Sequence, residues 1–247
     1  MKVLLIGQGQ IGTAIKGAEE IAGNEVDVIE RDYAPKIMKQ EYPICHVCIP
    51  YSEDFENVIE TYLNTYKPEL TIIHSTVTPG TTENLILKTD MKIVHSPVMG
   101  IHPNLLSGVL TFKKIIGSDD PEATELAAQH FKDLDIDTVI YDSATNSEMA
   151  KLLSTTYYGW NIVFMKSVHR LCEENNLNFD QVYTNTNQIY NDGYTKLDKK
   201  NVRRPVLDYM PGLIGGHCVR PNFDLVEPYL DIAKTAREID DGFDEVD

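Results

Sequence analysis

The chain has no apolar run approaching the roughly 18 residues needed to cross a bilayer. Its opening apolar stretch, Val3 to Ile6, stops at Gly7, too soon for the core of a signal peptide. A cytoplasmic protein is therefore expected. Cysteine is scarce: Cys45, Cys48, Cys172 and Cys218 are too few and too irregularly placed to frame a disulfide scaffold. Positive charge is also short, with 22 Lys and Arg against 38 Asp and Glu in 247 residues, a formal net charge of −16. The last ten residues hold six of those acids and no base, and without them the charge is still −10. A body this acidic repels phosphate backbones and anionic lipid, which argues against nucleic acid or a membrane surface as partner and leaves a small-molecule substrate. Residues 238–247 read as a solvated acidic tail. Hydrophobic residues at 42 % and 27 Gly plus Pro are ordinary globular values, and no internal repeat is visible, so fibrous, low-complexity and solenoid architectures are excluded.

The first half alternates short β-rich runs with helical stretches. Strands are expected at Val3–Ile6, Glu25–Glu30, Ile44–Ile49, Leu70–His74, Lys92–His95, Lys114–Gly117 and Thr138–Tyr141. Helices are expected near 11–22, 54–66 and 121–134. That order predicts an α/β, Rossmann-like, doubly wound parallel sheet. From Ser147 apolar residues recur at helical spacing (Met149, Leu152, Leu153, Trp160, Val163, Phe164, Val168, Leu171), predicting a long helix to about Asn175. Beyond it lies a small, mostly helical unit with a Gly-rich bend at Gly212, Gly215 and Gly216. The division is thus 1–146 for a nucleotide-binding domain, 147–237 for the long helix and a small substrate domain, and 238–247 for the tail.

Gly7-Gln8-Gly9-Gln10-Ile11-Gly12 matches G-x-G-x-x-G between an apolar strand and a helix, the context in which that spacing binds a dinucleotide. Gly7 suits the tight turn, Gly9 allows backbone to approach a pyrophosphate, and Gly12 allows close packing of helix on strand. Gln10 and Ile11 open the helix, whose N-terminus supplies the positive potential that the acidic body lacks. Glu30 ends the second strand 18 residues after Gly12, where a carboxylate accepts hydrogen bonds from ribose hydroxyls; this favours NAD over NADP, with Arg31 beside it able to stack on adenine or meet a phosphate. Cys45-His46-Val47-Cys48 is not a metal motif, because strand residues three apart face opposite ways and no second pair stands at zinc-ligand spacing; no metal is expected.

Three further segments, Ser75-Thr76-Val77-Thr78-Pro79-Gly80-Thr81-Thr82, Glu148-Met149-Ala150-Lys151-Leu152-Leu153 and Gly215-Gly216-His217-Cys218-Val219-Arg220-Pro221-Asn222, complete a pattern. With the glycine fingerprint, their order resembles the UDP-glucose/GDP-mannose dehydrogenase family, including the UDP-N-acetyl-mannosamine type, over about residues 1–230. Members oxidise a sugar-nucleotide primary alcohol through the aldehyde to the acid, using NAD twice and a cysteine thioester. The resemblance implies Cys218 as nucleophile, Lys151 as the cation steadying the alkoxide and thiohemiacetal oxygens, and Thr76 near the nicotinamide ordering water. It implies Pro50 among the cofactor contacts, and Arg203 or Arg204, His217 and Arg220 among the substrate contacts. The long helix resembles the family's dimerisation helix, so a homodimer is expected. The chemistry is consistent in itself: a lysine on a rigid helix stabilises developing oxyanion charge, and a thiol among glycines is accessible.

The sequence departs from the family in four places. The Asn one turn after the lysine is Thr155, the Asp four residues after the cysteine is Asn222, and a glutamate after Ser-Pro is Val98, which cannot activate water. The acidic tail stands where members continue into a C-terminal nucleotide-binding domain, leaving open a smaller substrate, a partner chain, or loss of the original activity. Two alternatives to the sugar-nucleotide oxidoreductase therefore stand: a β-hydroxyacid dehydrogenase, also with a lysine on its long helix, and a catalytically impaired NAD-binding regulatory protein. The leading reading requires Cys218 and Lys151 to serve one pocket that begins at the first three glycines.

Overall fold

The computed structural model describes residues 1–30, 41–100, 103–216 and 218–243. The chain folds as two compact units, Met1–Lys151 and Leu152–Asp247, divided within one long helix.

In the first unit the elements run β1 (Lys2–Ile6), α1 (Gln10–Ile21), β2 (Glu25–Ile29), β3 (Ile44–Val47), α2 (Phe55–Tyr66), β4 (Leu70–Ile73) and α3 (Thr81–Thr89). They continue with β5 (Ile93–His95), α4 (Leu105–Thr111), β6 (Lys114–Gly117), α5 (Pro121–Asp133), β7 (Thr138–Tyr141) and the start of α6 (Ala144–Glu174). The strands form one sheet in the order β2-β1-β3-β4-β5-β6-β7. Pairing is parallel except between β5 and β6, which touch antiparallel at His95 and Gly117. The expected doubly wound α/β sheet is present, with that one reversal.

Alternation along the strands builds the two faces. Val3 and Leu5 of β1 join Ile44, Cys48, Leu70 and Ile72 beneath α1, α4 and α5, while Leu4 and Ile6 join Cys45, Val47 and Ile73 beneath α2 and α3. Both faces are buried, which is why these strands read as nearly continuous apolar runs. Cys45 and Cys48 fall on opposite faces, as strand geometry requires. Helices α3 and α4 have no counterpart among the sequence expectations, and α6 begins three residues before Ser147.

A polar cluster interrupts the first face. Glu19 of α1, fully buried, meets His46 Nε2 and His130 Nε2 of α5, both 2.8 Å from its Oε1. Donors around a zinc ion with bonds of about 2.0–2.1 Å stand about 3.3 Å apart, so 2.8 Å is hydrogen-bond spacing and not a coordination shell. Burial pushes Glu19 towards the neutral acid, but hydrogen bonds from the two imidazoles outweigh it and hold the carboxyl well below its ordinary range. His46 Nδ1 lies 3.0 Å from His74 Nε2, and Lys114 Nζ donates to the Ser96 and Pro97 carbonyls at 2.7 Å each. Burial brings Lys114 down to about 7.

The second unit contains the remainder of α6, a π-helical segment Asp180–Asn185, α7 (Thr186–Lys196), α8 (Val219–Val226) and α9 (Asp231–Asp241). Helix α8 seats on α6 at Gly159, where an added Cβ would stand 2.5 Å from Phe223 and Val219 side-chain carbons. Only glycine permits that approach. The acidic end is not a fully solvated tail: α9 runs to Asp241, and Asp240 is completely buried. Residues 244–247 lie outside the described residues.

Candidate functional site: a dinucleotide crevice and a cysteine loop

The chain leaves β1, forms β2 on one side and returns to β3 on the other, so the sheet order reverses between β1 and β3. Ligands of open α/β sheets bind at such a switch point, beyond the carboxyl ends of the strands. The Gly7–Gly12 loop lies there. Gly7 has φ +90° and room for no side chain, since a Cβ would stand 2.7 Å from Ile49. Gly12 is tighter, with a Cβ 1.9 Å from the Gly7 carbonyl oxygen. Gly9 is the opposite case: a Cβ there meets nothing within 4 Å, so the loop opens onto free space. Gly9 caps α1 with no side-chain cap and no acid in the first turn, and Gln8 and Gln10 are exposed beside it. The positive end of α1 is therefore unneutralised by its own residues. Glu30, just past β2, accepts the Gln8 backbone N–H, which fixes its carboxylate at the rim of the glycine loop. Ile11 is half-buried behind the loop, and Pro50, after β3, is exposed at the same edge of the sheet. Arg31 lies outside the described residues.

The loops after β4 and β5 extend this edge and are gripped by the first turns of α6. Glu148, fully buried, accepts the Gly80 N–H at 2.6 Å, the Thr82 N–H at 2.9 Å and the Thr82 hydroxyl at 2.6 Å, capping α3 from a distant part of the chain. Burial pushes the Glu148 carboxyl up against the opposing pull of these donors. Ser75 Oγ donates to the Ile49 carbonyl at 2.6 Å, tying this loop to the end of β3, and half-buried Thr76 follows it. One turn along α6, Lys151 Nζ donates to the Val98 carbonyl at 2.9 Å. The Val98 side chain is packed in the core, so this position offers Lys151 a backbone oxygen and no carboxylate. Two of the motif segments, 75–82 and 148–153, thus meet through Glu148.

In the second unit, Cys218 is the N-cap of α8 and the one exposed cysteine of four. Thr155 is half-buried on α6, and Asn222 is buried on α8. Arg220, expected beside the thiol as a substrate contact, is engaged elsewhere. Its Nη1 is 2.5 Å from Asp240 and its Nη2 2.5 Å from Asp241, and the hydrogen bond to Asp241, followed by that to Asp240, raises its pKa further. The acidic end takes up this cation because α9 returns Asp240 to it. His217 lies outside the described residues. Arg203 and Arg204 line a cavity of about 640 Å³ with Tyr157, Phe164 and Leu171 of α6. Arg204 is held on both sides: its backbone exchanges hydrogen bonds with Asn191 at 2.8 and 2.9 Å, and its guanidinium lies 3.6 Å over Tyr190.

Sequence reading missed Glu148 as a clamp and Asp240 as a buried anion. A signal existed for Asp240: with Ala233 and Ala236 it forms an i, i+3, i+7 stripe on which it is the only charge.

No protein-family model matches the chain. It is 28 % identical over 203 residues to a UDP-N-acetyl-D-mannosamine dehydrogenase of Methanocaldococcus jannaschii, covering 74 % of this chain and 43 % of that protein. It is 24 % identical over 159 residues to an NDP-N-acetyl-D-galactosaminuronic acid dehydrogenase of Ralstonia nicotianae, covering 63 % and 34 %. The chain therefore spans about two-fifths of the length of the curated relatives it matches. Among solved structures, a UDP-D-ManNAc dehydrogenase of Pyrococcus horikoshii superposes with TM-score 0.76 at 19 % identity over 98 % of this chain and 69 % of that one. A 3-hydroxyisobutyrate dehydrogenase of Mycobacterium tuberculosis superposes with TM-score 0.72 at 14 % identity, over 99 % and 94 %. Among the described residues no helix is long and apolar enough to cross a membrane. In sequence the chain is similar to UDP-N-acetyl-D-mannosamine dehydrogenases, and its fold is the one found in solved nucleotide-sugar dehydrogenases.

Proposed function

We propose that the chain is an NAD-dependent oxidoreductase acting on a primary alcohol of a sugar nucleotide or a related small substrate, carried through a Cys218 thioester to the acid. The observation that carries this reading is the open Gly9 turn at the uncapped start of α1, with Glu30 fixed at its rim. That donor set fits a pyrophosphate and a ribose diol. Bound there, NAD supplies the hydride acceptor.

Each side chain then has a task. Lys151 stabilises the alkoxide as hydride leaves the alcohol carbon. Cys218 adds its sulfur to the resulting aldehyde, and the hemithioacetal loses a second hydride to give the thioester. Water displaces sulfur and restores the thiol, so one alcohol, two NAD⁺ and one water give one carboxylate, two NADH and three protons. Thr76 orders water near the nicotinamide, and Thr155 offers a hydroxyl one turn beyond Lys151. Asn222 can hold a water but cannot deprotonate it. Arg203 and Arg204 contact the substrate. Residues 1–146 bind the cofactor and 147–237 the substrate.

The test is NADH formation from UDP-N-acetylmannosamine, UDP-glucose and GDP-mannose, set beside small 3-hydroxyacids. Cys218→Ser should abolish acid formation and leave alcohol–aldehyde exchange. Unchanged acid production by that variant removes the covalent step. A second reading, a β-hydroxyacid dehydrogenase, is favoured by one observation, the 94 % coverage of the 3-hydroxyisobutyrate dehydrogenase structure. Turnover of hydroxyacids alone would establish it. NAD binding without NADH from any substrate would instead support a regulatory role.

We also propose a homodimer through α6, on which Tyr157, Phe164 and Leu171 recur every seven residues at 61, 55 and 51 % exposure. Aromatic and aliphatic side chains left open in such a row mark an interface. A cytoplasmic location agrees with this chemistry.

A further inference from the structure

Residues 203–216, ahead of Cys218, contain no helix or strand and pass through positive φ at Gly212 (+71°) and Gly216 (+81°), so their own backbone gives them little rigidity. Their anchors come from elsewhere in the second unit. Lys166 of α6 donates to the Gly212 carbonyl, and the Ile214 N–H donates to the two carboxylate oxygens of Asp240 at 3.0 and 3.2 Å. The same carboxylate receives Arg220 Nη1 at 2.5 Å and has Lys166 Nζ at 3.8 Å. Arg220 lies in the first turn of α8, just beyond Cys218. One buried carboxylate thus holds the chain on both sides of the exposed thiol.

A fully buried carboxylate is strongly destabilising unless cations and N–H groups surround it. Asp240 has two cations and one N–H, and all three converge on the cysteine loop or on the helix that α8 packs against. Asp241 adds a second contact to Arg220. Arg170 Nη2 donates to the Gly242 carbonyl at 2.6 Å and so fixes the end of α9 against α6.

We propose that Asp240 is a positioning residue: it holds Ile214 and Arg220 so that Cys218 stays at the N-cap of α8, where its sulfur can add to the substrate aldehyde. The inference rests on the reading of Cys218 as nucleophile. The acidic end of the chain is then a working part of the cysteine loop, which composition alone assigned to solvent.

The test uses the full chain with Asp240→Asn, which keeps the shape and removes the charge. A second variant, Asp240→Leu with Lys166→Met, replaces the buried pair by apolar groups of similar size and protects the fold. The first readout is peptide-resolved hydrogen exchange: amides of 212–216 should exchange at least tenfold faster in either variant, while those of α7 keep their rates. The second is kinetic: kcat for acid formation should fall at least tenfold, with the KM for NAD within twofold and alcohol–aldehyde exchange retained. Unchanged exchange at 212–216, or a uniform rise across the unit, overturns the proposal, as does an equal fall in both oxidation steps. A wild-type chain that forms no NADH overturns the role of Cys218 and not the clamp, which the exchange measurement decides separately.

Discussion

Acid should begin to destabilise the first unit well above the range where carboxylates titrate, because its core holds imidazoles that refuse protons. His95 is fully buried with Nδ1 2.7 Å from Ser147 Oγ and Nε2 3.1 Å from the Ser75 carbonyl. Burial, helped by the nearby Lys114 and Lys151 charges, brings it down to about 3. His74 is fully buried between His46 and the Ser96 carbonyl, and burial with the Lys114 charge holds it well below its ordinary 6.5. Each group has a folded value below its unfolded one. Their share of stability is therefore complete above pH 6.5 and is lost as pH falls, since the unfolded chain binds protons that the folded chain does not. His95, with its folded value near 3, costs about 1.4 kcal/mol per pH unit below that point, or about 2.5 kcal/mol between pH 7 and 4.5, and His74 adds to this with the same sign. A domain has roughly 5–15 kcal/mol in total. Glu19, held low by its two imidazoles, loses its contribution with the same sign only as pH falls through the ordinary carboxylate range.

The assay must separate the units. The chain's one tryptophan, Trp160, lies in the second, so its fluorescence reports that unit and hydrogen exchange of β1, β3 and β4 amides reports the first. Opening free energies of those amides, measured from pH 7 to 4.5, should fall by at least about 1.4 kcal/mol per pH unit below pH 6. His95→Gln, which keeps one donor and one acceptor, should lower that slope by about 1.4 kcal/mol per pH unit. Equal slopes in the variant and the wild type, or a flat wild-type profile down to pH 4.5, would refute the reasoning.

Gly12→Ala should destabilise the first unit by roughly 2–4 kcal/mol in urea melts, because its Cβ would meet the Gly7 carbonyl oxygen at 1.9 Å. Gly9→Val, with open space at that Cβ, should leave the melt unchanged and weaken NAD at least tenfold in calorimetry. Glu148→Gln should cost about 1–3 kcal/mol by the same melts, since an amide cannot accept all three hydrogen bonds from Gly80 and Thr82. Phe164→Asp should convert a dimer to monomer at micromolar concentration in sedimentation velocity; a wild-type monomer would end the dimer proposal.

The sheet was legible because its strands are short apolar runs between helical periods, and because the glycine spacing falls at a strand-to-helix junction. What stayed hidden depends on partners far along the chain. Helix α3 has no local N-terminal signal: Gly80 precedes it with φ +96°, and its cap is Glu148, more than sixty residues away. Helix α4 is seven residues long, below the length at which periodicity is readable, and an added Cβ on Gly108 would stand 2.9 Å from Gly100 Cα. No side-chain pattern announces that β6 runs against β5. Glu19 sits in a helix whose neighbours Lys16 and Glu20 pair on the surface, and its burial is explained by partners from outside the helix, His46 and His130 on Oε1 and Asn24 on Oε2.

Glu148 and Asp240 answer the same mechanical problem in the two units. A loop carrying a functional group needs backbone freedom to turn, which Gly80, Gly212 and Gly216 provide, and that freedom costs order. A carboxylate with two acceptor oxygens, brought by a helix from elsewhere in the chain, can hold several donors of such a loop at once, and a buried one cannot leave for solvent without breaking all of them. Position within the helix makes this possible: Glu148 and Asp240 each project from a helix end onto a neighbouring loop, while Ala233 and Ala236 keep the rest of the α9 stripe apolar. In α9 a lone acid on an otherwise apolar helical stripe carries this clamp arrangement. In this chain it predicts that neutralising either acid loosens a motif segment before it unfolds the unit that carries it.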